Sequence, residues 1–198
     1  KEIFEQPKAL RDTIHPRLKD GLPSFEYDGI PECLFKGRGR IHIVACGTAM
    51  YAGLVGRDLI ETLARIPVEV QIASEFRYRD PILSKDDLVV IISQSGETAD
   101  SLAVLRLAKQ RGVPTLGVVN VAGSTIAREA DYVIYTHAGP EIAVASTKAY
   151  SVQVSVMYLL AFAMARSART LGEEEIRAKV EELLQTVEKL PRVLEQNN

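Results

Sequence analysis

A turn of six small and polar residues offers the clearest chemistry in this chain. It consists of Ser93, Gln94, Ser95, Gly96, Glu97 and Thr98, between an apolar run at residues 88–92 and a helical pattern that begins near Ala99. The first N–H groups of a helix are unpaired and its dipole is positive there, which suits an anion. The hydroxyls add donors without charge, and Gly96 allows the backbone to come close. The turn predicts a phosphate site.

The residues absent from this turn indicate the kind of phosphate. The turn holds no lysine, and the pattern G-x-x-x-x-G-K-[ST] of nucleotide-binding loops occurs nowhere in the sequence. A neutral, hydroxyl-lined turn therefore favours a small sugar phosphate. The alternative is that Ser95 only caps the helix, as Ser and Thr commonly do.

Two further stretches place small and polar residues before a helical pattern. They are Cys46, Gly47 and Thr48 after an apolar run at residues 41–45, and Val144, Ala145 and Ser146 before an apolar helix. Each has a simpler explanation by itself: Gly47 eases a turn, Cys46 is a small buried hydrophobe, and Ser146 caps a helix. Three such helix starts in one chain exceed what capping requires, so we expect them to border one pocket.

No other motif predicts a cofactor or a metal ion. The glycines of Gly37-Arg38-Gly39 precede a strand, whereas those of a dinucleotide-binding loop must follow one. The histidines (His15, His42 and His137) lack the spacing of metal ligands. Glu97 lies in the phosphate turn, and we expect its carboxylate to point away because it would repel the anion.

Short β-branched runs alternate with helical patterns, which predicts an α/β fold: a parallel sheet covered by helices on both faces. The predicted strands are residues 41–45, 68–72, 88–92, 113–119 and 132–135. Analogy with flavodoxin-like sheets suggests a three-layer sandwich with strand order 2-1-3-4-5. Ligands of such sheets bind beyond the carboxyl ends of the strands, where the turns after strands one and three lie side by side.

The rest of the chain reads as helical extensions of a single domain, residues 1–198. We expect a helical lead-in and a loop over residues 1–35, the α/β core over 36–170, and an amphipathic helix over 171–198. Residues 148–166 carry no charge between their ends. They are shorter than the ~20 apolar residues of a spanning helix and are rich in alanine, so a buried core helix is predicted.

Composition and charge limit the partners and the cellular location that we expect for this chain. A net charge of −2 with no run of like charges argues against nucleic acid as a partner. Two cysteines without a C-x-x-C pair, and no apolar leader after Lys1, favour a reducing, cytoplasmic location. The first residue is Lys rather than Met, which suggests a processed chain or part of a longer one.

Four segments in the same order resemble one family. They are residues 43–48, 73–79, 93–100 and 141–148, and residues 1–7 resemble the junction between two halves of the same enzymes. The chain is similar to the first sugar isomerase (SIS) domain of the glutamine–fructose-6-phosphate aminotransferases. The resemblance runs from end to end, and its most specific parts are Glu-Phe-Arg-Tyr-Arg at residues 75–79 and Val-Ala-Ser-Thr-Lys at 144–148.

The resemblance implies a role for each matching residue. Ser93, Gln94, Ser95 and Thr98 would hold the 6-phosphate of the sugar. Cys46, Gly47, Thr48, Val144, Ala145 and Ser146 would line the sugar itself. One departure is Ala49, where a bacterial relative has a serine that binds phosphate.

The family joins ammonia from glutamine to fructose 6-phosphate and moves a proton to give glucosamine 6-phosphate, without a cofactor. Its glutamate base, lysines and histidine come from a second SIS domain or a neighbouring subunit, and a glutaminase domain supplies the ammonia. The resemblance therefore predicts a substrate-binding domain with no catalytic residue of its own, a homodimer, and partners in those other domains. Two alternatives stay open: a non-catalytic sugar-phosphate sensor, and a stand-alone aldose–ketose isomerase with Glu141 as base.

Overall fold

A five-stranded parallel sheet forms the centre of the computed structural model, which describes residues 1–143 and 145–196. Its strands are β3 (Ile41–Ala45), β4 (Val68–Ile72), β5 (Leu88–Ser93), β6 (Thr115–Val119) and β7 (Tyr132–Tyr135). The helices are α1 (Gln6–Ile14), α2 (Thr48–Leu63), α3 (Ala73–Phe76), α4 (Ala99–Gln110), α5 (Thr125–Glu129), α6 (Lys148–Ala168) and α7 (Glu173–Glu195). The N-terminal part adds a hairpin of β1 (Leu18–Lys19) and β2 (Leu22–Pro23), with 3₁₀ turns at Glu2–Glu5, His15–Arg17, Glu26–Asp28 and Glu32–Phe35.

The strand order is β4-β3-β5-β6-β7, which confirms the flavodoxin-like order 2-1-3-4-5. All neighbouring strands are parallel. Ala45, the last residue of β3, pairs with Ile92 near the end of β5. The turns after these two strands therefore leave the sheet side by side, at the point where the strand order reverses.

The sheet is apolar on both faces because helices cover both. In β5, Leu88, Val90 and Ile92 pack in the core that includes α2 and α6, whereas Val89 and Ile91 face the core beneath α3, α4 and α5. This alternation follows from the period of two along a strand. The predicted three-layer α/β sandwich is confirmed.

Helix α6 is the central helix of one outer layer. It is long and apolar enough to cross a membrane by length and composition, but 78% of its most apolar 18-residue window is buried inside the protein. It packs against both α2 and α1. The prediction of a buried core helix is confirmed.

Both ends of the chain pack on the α2–α6 layer. Arg17 joins the N-terminal part to the sheet, since its buried guanidinium binds both oxygens of Asp28 at 2.8 and 2.6 Å and the backbone oxygen of Tyr135 at 2.7 Å. The amphipathic α7 packs against α1 and α6, with Val187 in their common core. The division into residues 1–35, 36–170 and 171–198 stays a prediction.

Local patterns missed some short elements. The stretch after β4 begins with the one-turn helix α3, and residues 1–35, expected as a helical lead-in and a loop, also contain the hairpin of β1 and β2. These pieces are held by tertiary contacts, such as the burial of Phe76 against the second face of the sheet, rather than by local propensity. Strand β6 begins at Thr115, two residues later than predicted, because Pro114 cannot donate to a ladder.

Candidate functional site

The turns after β3 and β5 meet in one cavity of about 250 Å³ at the carboxyl edge of the sheet. Of the residues predicted for the site, Cys46, Thr48, Ser93, Gln94, Ser95, Thr98 and Ser146 line it. Gly47 and Ala145 lie beside the cavity without lining it, and Val144 lies outside the described residues. The structure therefore brings the three predicted helix starts together.

The turn after β5 is held open by its own hydroxyls. The Ser93 hydroxyl accepts a hydrogen bond from the Gly96 N–H at 3.0 Å and lies 3.3 Å from the hydroxyl of Thr98. The Ser95 hydroxyl accepts one from the Glu97 N–H at 3.2 Å. These bonds curl the backbone around the cavity, so the serine and threonine oxygens line one wall.

Gly96 is required in this turn for two reasons. Its φ is +65°, a left-handed conformation that side chains with a Cβ rarely adopt. A Cβ at this position would also lie 2.1 Å from the hydroxyl oxygen of Ser124, which is buried. Any larger residue would therefore displace the turn that carries Ser93 and Ser95.

The N-terminus of α4 is open toward an anion. Thr98 precedes the helix and lines the cavity, and within the described part of the chain no side chain caps the helix. The first N–H groups of α4 therefore have no side-chain acceptor, which is the arrangement that binds phosphate at helix termini.

Glu97 points away from the cavity, as expected. Its carboxylate accepts a hydrogen bond from the Thr125 N–H at 2.7 Å, at the start of α5. Hydrogen bonds from Thr125 hold the pKa of Glu97 below its usual value, so it is ionised at neutral pH. Its charge therefore lies at the start of α5. The first turn of α4 still holds one carboxylate, Asp100, which is paired with Arg77 at 3.2 Å.

The turn after β3 is shaped by Gly47. Its φ of +59° and ψ of −139° form a conformation open mainly to glycine, and α2 begins directly after it. Cys46 and Thr48 flank the cavity on either side of this glycine, and the methyl group of Ala49 faces it one residue further on. A serine at position 49 would add a hydroxyl there.

The third side of the cavity is an irregular stretch that we call the wall segment (residues 139–143 and 145–147). Its most connected residue is Glu141, which lines the cavity. The carboxylate accepts hydrogen bonds from the Thr147 N–H at 2.9 Å, the Ala149 N–H at 3.2 Å and the Ser146 hydroxyl at 3.0 Å. Glu141 therefore caps α6 from outside the helix.

These bonds set the protonation of Glu141. Burial by itself raises its pKa, but the hydrogen bonds from Thr147, Ala149 and Ser146 outweigh burial and hold the pKa below the usual 4.5. The carboxylate is thus ionised at neutral pH, and its oxygens are engaged. A carboxylate stabilised in this way is a weak base.

Sequence reasoning missed several residues that line the cavity: Ile92, Ala143 and Gln153. Gln153 is the one with polar chemistry, and it is buried in the second turn of α6. It is the only amide between Lys148 and Arg166, a stretch that contains no charged residue. That isolation was a signal in the sequence, because a lone amide in a buried helix needs a polar neighbour.

The model of the SIS domain family matches residues 34–163, more than half of the chain. The chain belongs to the SIS domain family. This segment contains every strand of the five-stranded sheet and all the described residues that line the cavity.

Curated relatives extend the similarity over the whole chain. It is 52% identical over its full length to the glutamine–fructose-6-phosphate aminotransferase [isomerizing] of Chlorobaculum tepidum, and 53% identical over 98% of its length to that of Clostridium tetani. In both cases the chain spans about a third, 32%, of the relative's length.

A solved structure agrees with these relatives. The C-terminal domain of glucosamine-fructose-6-phosphate aminotransferase from Francisella tularensis superposes with a TM-score of 0.90 and 41% identity. The match covers 94% of this chain and 53% of that one. The fold predicted from the resemblance is confirmed.

Proposed function

We propose that this chain binds a hexose 6-phosphate, with the phosphate at the N-terminus of α4 and the sugar between Cys46, Thr48 and the wall segment. The observation that carries the proposal is the uncapped start of α4, which is surrounded by the hydroxyls of Ser93, Ser95 and Thr98 in one cavity. A dianionic phosphate there gains backbone donors, hydroxyl donors and the helix dipole together.

The family and the named relatives support a more specific role. We infer that the chain is the first SIS domain of an enzyme that makes glucosamine 6-phosphate from fructose 6-phosphate and glutamine. Identity above 50% to two aminotransferases of that name supports this activity. Since the chain spans a third of those proteins, the glutaminase and second SIS domains are its proposed partners.

The cavity supports binding rather than turnover. Among the described residues that line it there is no His, Lys or Arg, and its one carboxylate, Glu141, is held as a helix cap with a lowered pKa. Moving a proton next to an imine needs a base with a pKa nearer the working pH. This argues against the stand-alone isomerase, and nothing in the cavity favours the sensor over the aminotransferase.

We propose in addition that the chain pairs with a second copy and works in the cytoplasm. SIS domains generally pair, and the cysteines (Cys33 and Cys46) are free thiols in the structure, which suits a reducing compartment. Sedimentation equilibrium of the purified chain tests the pairing: a mass of one chain at micromolar concentration would contradict it.

Calorimetric titration tests the binding proposal. The ligands are fructose 6-phosphate, glucosamine 6-phosphate, inorganic phosphate and free fructose, each added to the native chain and to Ser95→Ala. We expect saturable binding of the two phosphorylated sugars, with a higher affinity than that of inorganic phosphate, and no binding of free fructose. In Ser95→Ala the affinity for the phosphorylated sugars should be about tenfold weaker, which corresponds to the loss of roughly one good hydrogen bond.

Ser167→Ala is the matched control, because Ser167 lies near the opposite end of α6 from the cavity. It should bind like the native chain. Equal affinity for fructose and fructose 6-phosphate, or no binding of any phosphate at millimolar concentration, would contradict the proposal.

A further inference from the structure

The wall segment lies between two surfaces. On one side Glu141, Ala143 and Ser146 line the sugar-phosphate cavity. On the other side Ile142, Ala143 and Thr147 border a second cavity of about 740 Å³ beneath the N-terminal residues 1–12. The segment has no helix or strand of its own among its described residues, so side-chain contacts must hold it in place.

Glu2 provides the first of these contacts. Its carboxylate accepts hydrogen bonds from the Ile142 N–H at 2.6 Å and the Ala143 N–H at 3.3 Å. Ala143 also lines the sugar-phosphate cavity. A residue at the start of the chain thus holds the backbone of the cavity wall 140 residues later.

Glu5 provides the second contact, through Lys148. Lys148 is the first residue of α6 and is only 2% exposed. A cation at a helix N-terminus opposes the helix dipole, and a buried cation needs a partner. Glu5 is that partner, at 2.5 Å, and the hydrogen bond from Lys148 holds the pKa of Glu5 below its usual value.

The joint between the wall segment and α6 is therefore held from two sides. Glu141 caps the helix from within the cavity, and Glu5 neutralises Lys148 from the N-terminal segment. Gln6 adds a hydrogen bond from the Ser151 hydroxyl at 2.5 Å, one turn further along α6. Without Glu5 the uncompensated Lys148 would have to leave its buried position, and the adjoining wall would move with it.

We propose that Glu5 is a positioning residue for the sugar-phosphate cavity: through its ion pair with Lys148, and alongside Glu2, it keeps the wall segment in the conformation that receives the sugar. This inference rests on the proposed function, because it assigns the wall segment to the sugar. Phosphate bound at α4 alone should not depend on Glu5, because the hydrogen bonds that shape the turn after β5 are made within that turn.

The test uses Glu5→Gln in the 198-residue chain, with two measurements. Hydrogen–deuterium exchange of the peptide covering residues 139–149 should rise in the variant. Calorimetry should show fructose 6-phosphate binding about tenfold weaker while the affinity for inorganic phosphate changes less than about twofold. General destabilisation would weaken both ligands alike, so the ratio of the two affinities isolates positioning.

Glu188→Gln is the matched control. It removes the ion pair of Arg11 with Glu188, which ties α1 to α7 away from the cavity, and it should change neither measurement. The double variant Glu5→Gln/Lys148→Met leaves no buried unpaired charge, so it should recover part of the lost fructose 6-phosphate affinity. If Glu5→Gln alone does not fold, hydrogen–deuterium exchange and calorimetry are measured on the double variant instead.

The outcomes separate this inference from the proposed function. Native-like exchange and native-like sugar-phosphate affinity in Glu5→Gln would overturn the positioning role, as would an equal loss in Glu188→Gln. If the native chain binds no sugar phosphate, the proposed function fails. In that case faster exchange at residues 139–149 in Glu5→Gln supports the hold on the wall, and unchanged exchange overturns it.

Discussion

Three helices begin at the same cavity, and the N-termini of two of them, α4 and α6, are satisfied in opposite ways. At α6 the free N–H groups of Thr147 and Ala149 donate to the carboxylate of Glu141. At α4 the described residues provide no side-chain cap, although Thr98 and three other polar residues surround the terminus. One terminus carries an internal anion, and the other is free to receive one from outside.

This difference favours α4 over α6 as the place of the proposed phosphate. An ionised Glu141 repels a second anion near α6. At α4 the carboxylate of Glu97 accepts a hydrogen bond from the start of α5, and Asp100 in the first turn is paired with Arg77 at 3.2 Å. The cavity holds no cation among its described lining residues, so the proposed binding would depend on neutral donors and the helix dipole. The chain thus distinguishes two chemically similar helix starts by where it places two carboxylates.

The largest expected effect comes from destroying the open terminus with Gly96→Ala. The left-handed φ of +65° and the 2.1 Å approach to Ser124 force the turn to move, at a cost of about 3 kcal/mol of unfolding free energy. Urea denaturation measures the loss, and calorimetry should show no phosphate binding.

Gly37→Ala is the control: its φ is +68° with open space around it, so it should cost only about 1 kcal/mol and leave binding intact. Equal losses in both variants would show that strain alone, and not the crowded turn, explains the requirement.

A smaller effect is expected from Glu141→Gln, which removes the internal anion from α6. The folded protein should lose about 1 kcal/mol at pH 7, the value of a helix cap, and the repulsion between Glu141 and a bound phosphate should disappear. Phosphate binding at α4 should therefore be unchanged or slightly tighter. A loss of phosphate affinity comparable to that of Ser95→Ala would mean that the two termini are not as different as their contacts indicate.

The sign of the pH dependence follows from the lowered pKa of Glu141. Its contribution to stability is complete above the unfolded-state value near 4.5 and disappears as pH falls through the lower folded-state value. The stability gap between native and Glu141→Gln should thus be constant from pH 7 to 5 and shrink below that range. Urea midpoints at pH 7, 5 and 3 measure it, and a gap that widens on acidification would contradict the assignment.

The smallest effect is expected from Ala49→Ser, which adds a donor beside the open terminus. Ala49 lines the cavity at the start of α2, so the new hydroxyl should tighten fructose 6-phosphate binding by about threefold, a fraction of one hydrogen bond. Ala52→Ser, on the same helix but fully buried in the protein and away from the cavity, should not tighten binding. Equal affinity in Ala49→Ser and the native chain would place the phosphate out of reach of α2.

Much of the architecture could be predicted from local sequence, because burial imposes a periodic pattern of apolar residues on strands and helices. Residues 41–45 and 68–72 were predicted as strands and are β3 and β4 with the same bounds, since a short β-branched run between turn residues has few alternatives. The orientation of Glu97 was also predictable, because a carboxylate at an anion site must turn away. The helical pattern predicted to begin near Ala99 is α4, which begins at Ala99 and ends at Gln110.

Other features depend on residues that are distant in the sequence. Glu141 reaches the N–H of Ala149 across eight residues, so no capping pattern identifies it. Gln153 shows its polar surroundings only when α6 lies against the turns after β3 and β5. The contacts of Glu2 with Ile142 and of Glu5 with Lys148 join residues that are 140 and 143 positions apart, beyond the reach of any local periodicity.

The amino-acid sequence by itself determined the alternation of strands and helices, the neutral hydroxyl turn that begins α4, and the glycines that its backbone requires, because these depend on propensity, burial period and φ. Only the tertiary structure decided which helix terminus stays open. That choice depends on the carboxylate of Glu141, which reaches the N-terminus of α6 from the wall segment, and a charge acts over distances in space that the order of residues does not specify.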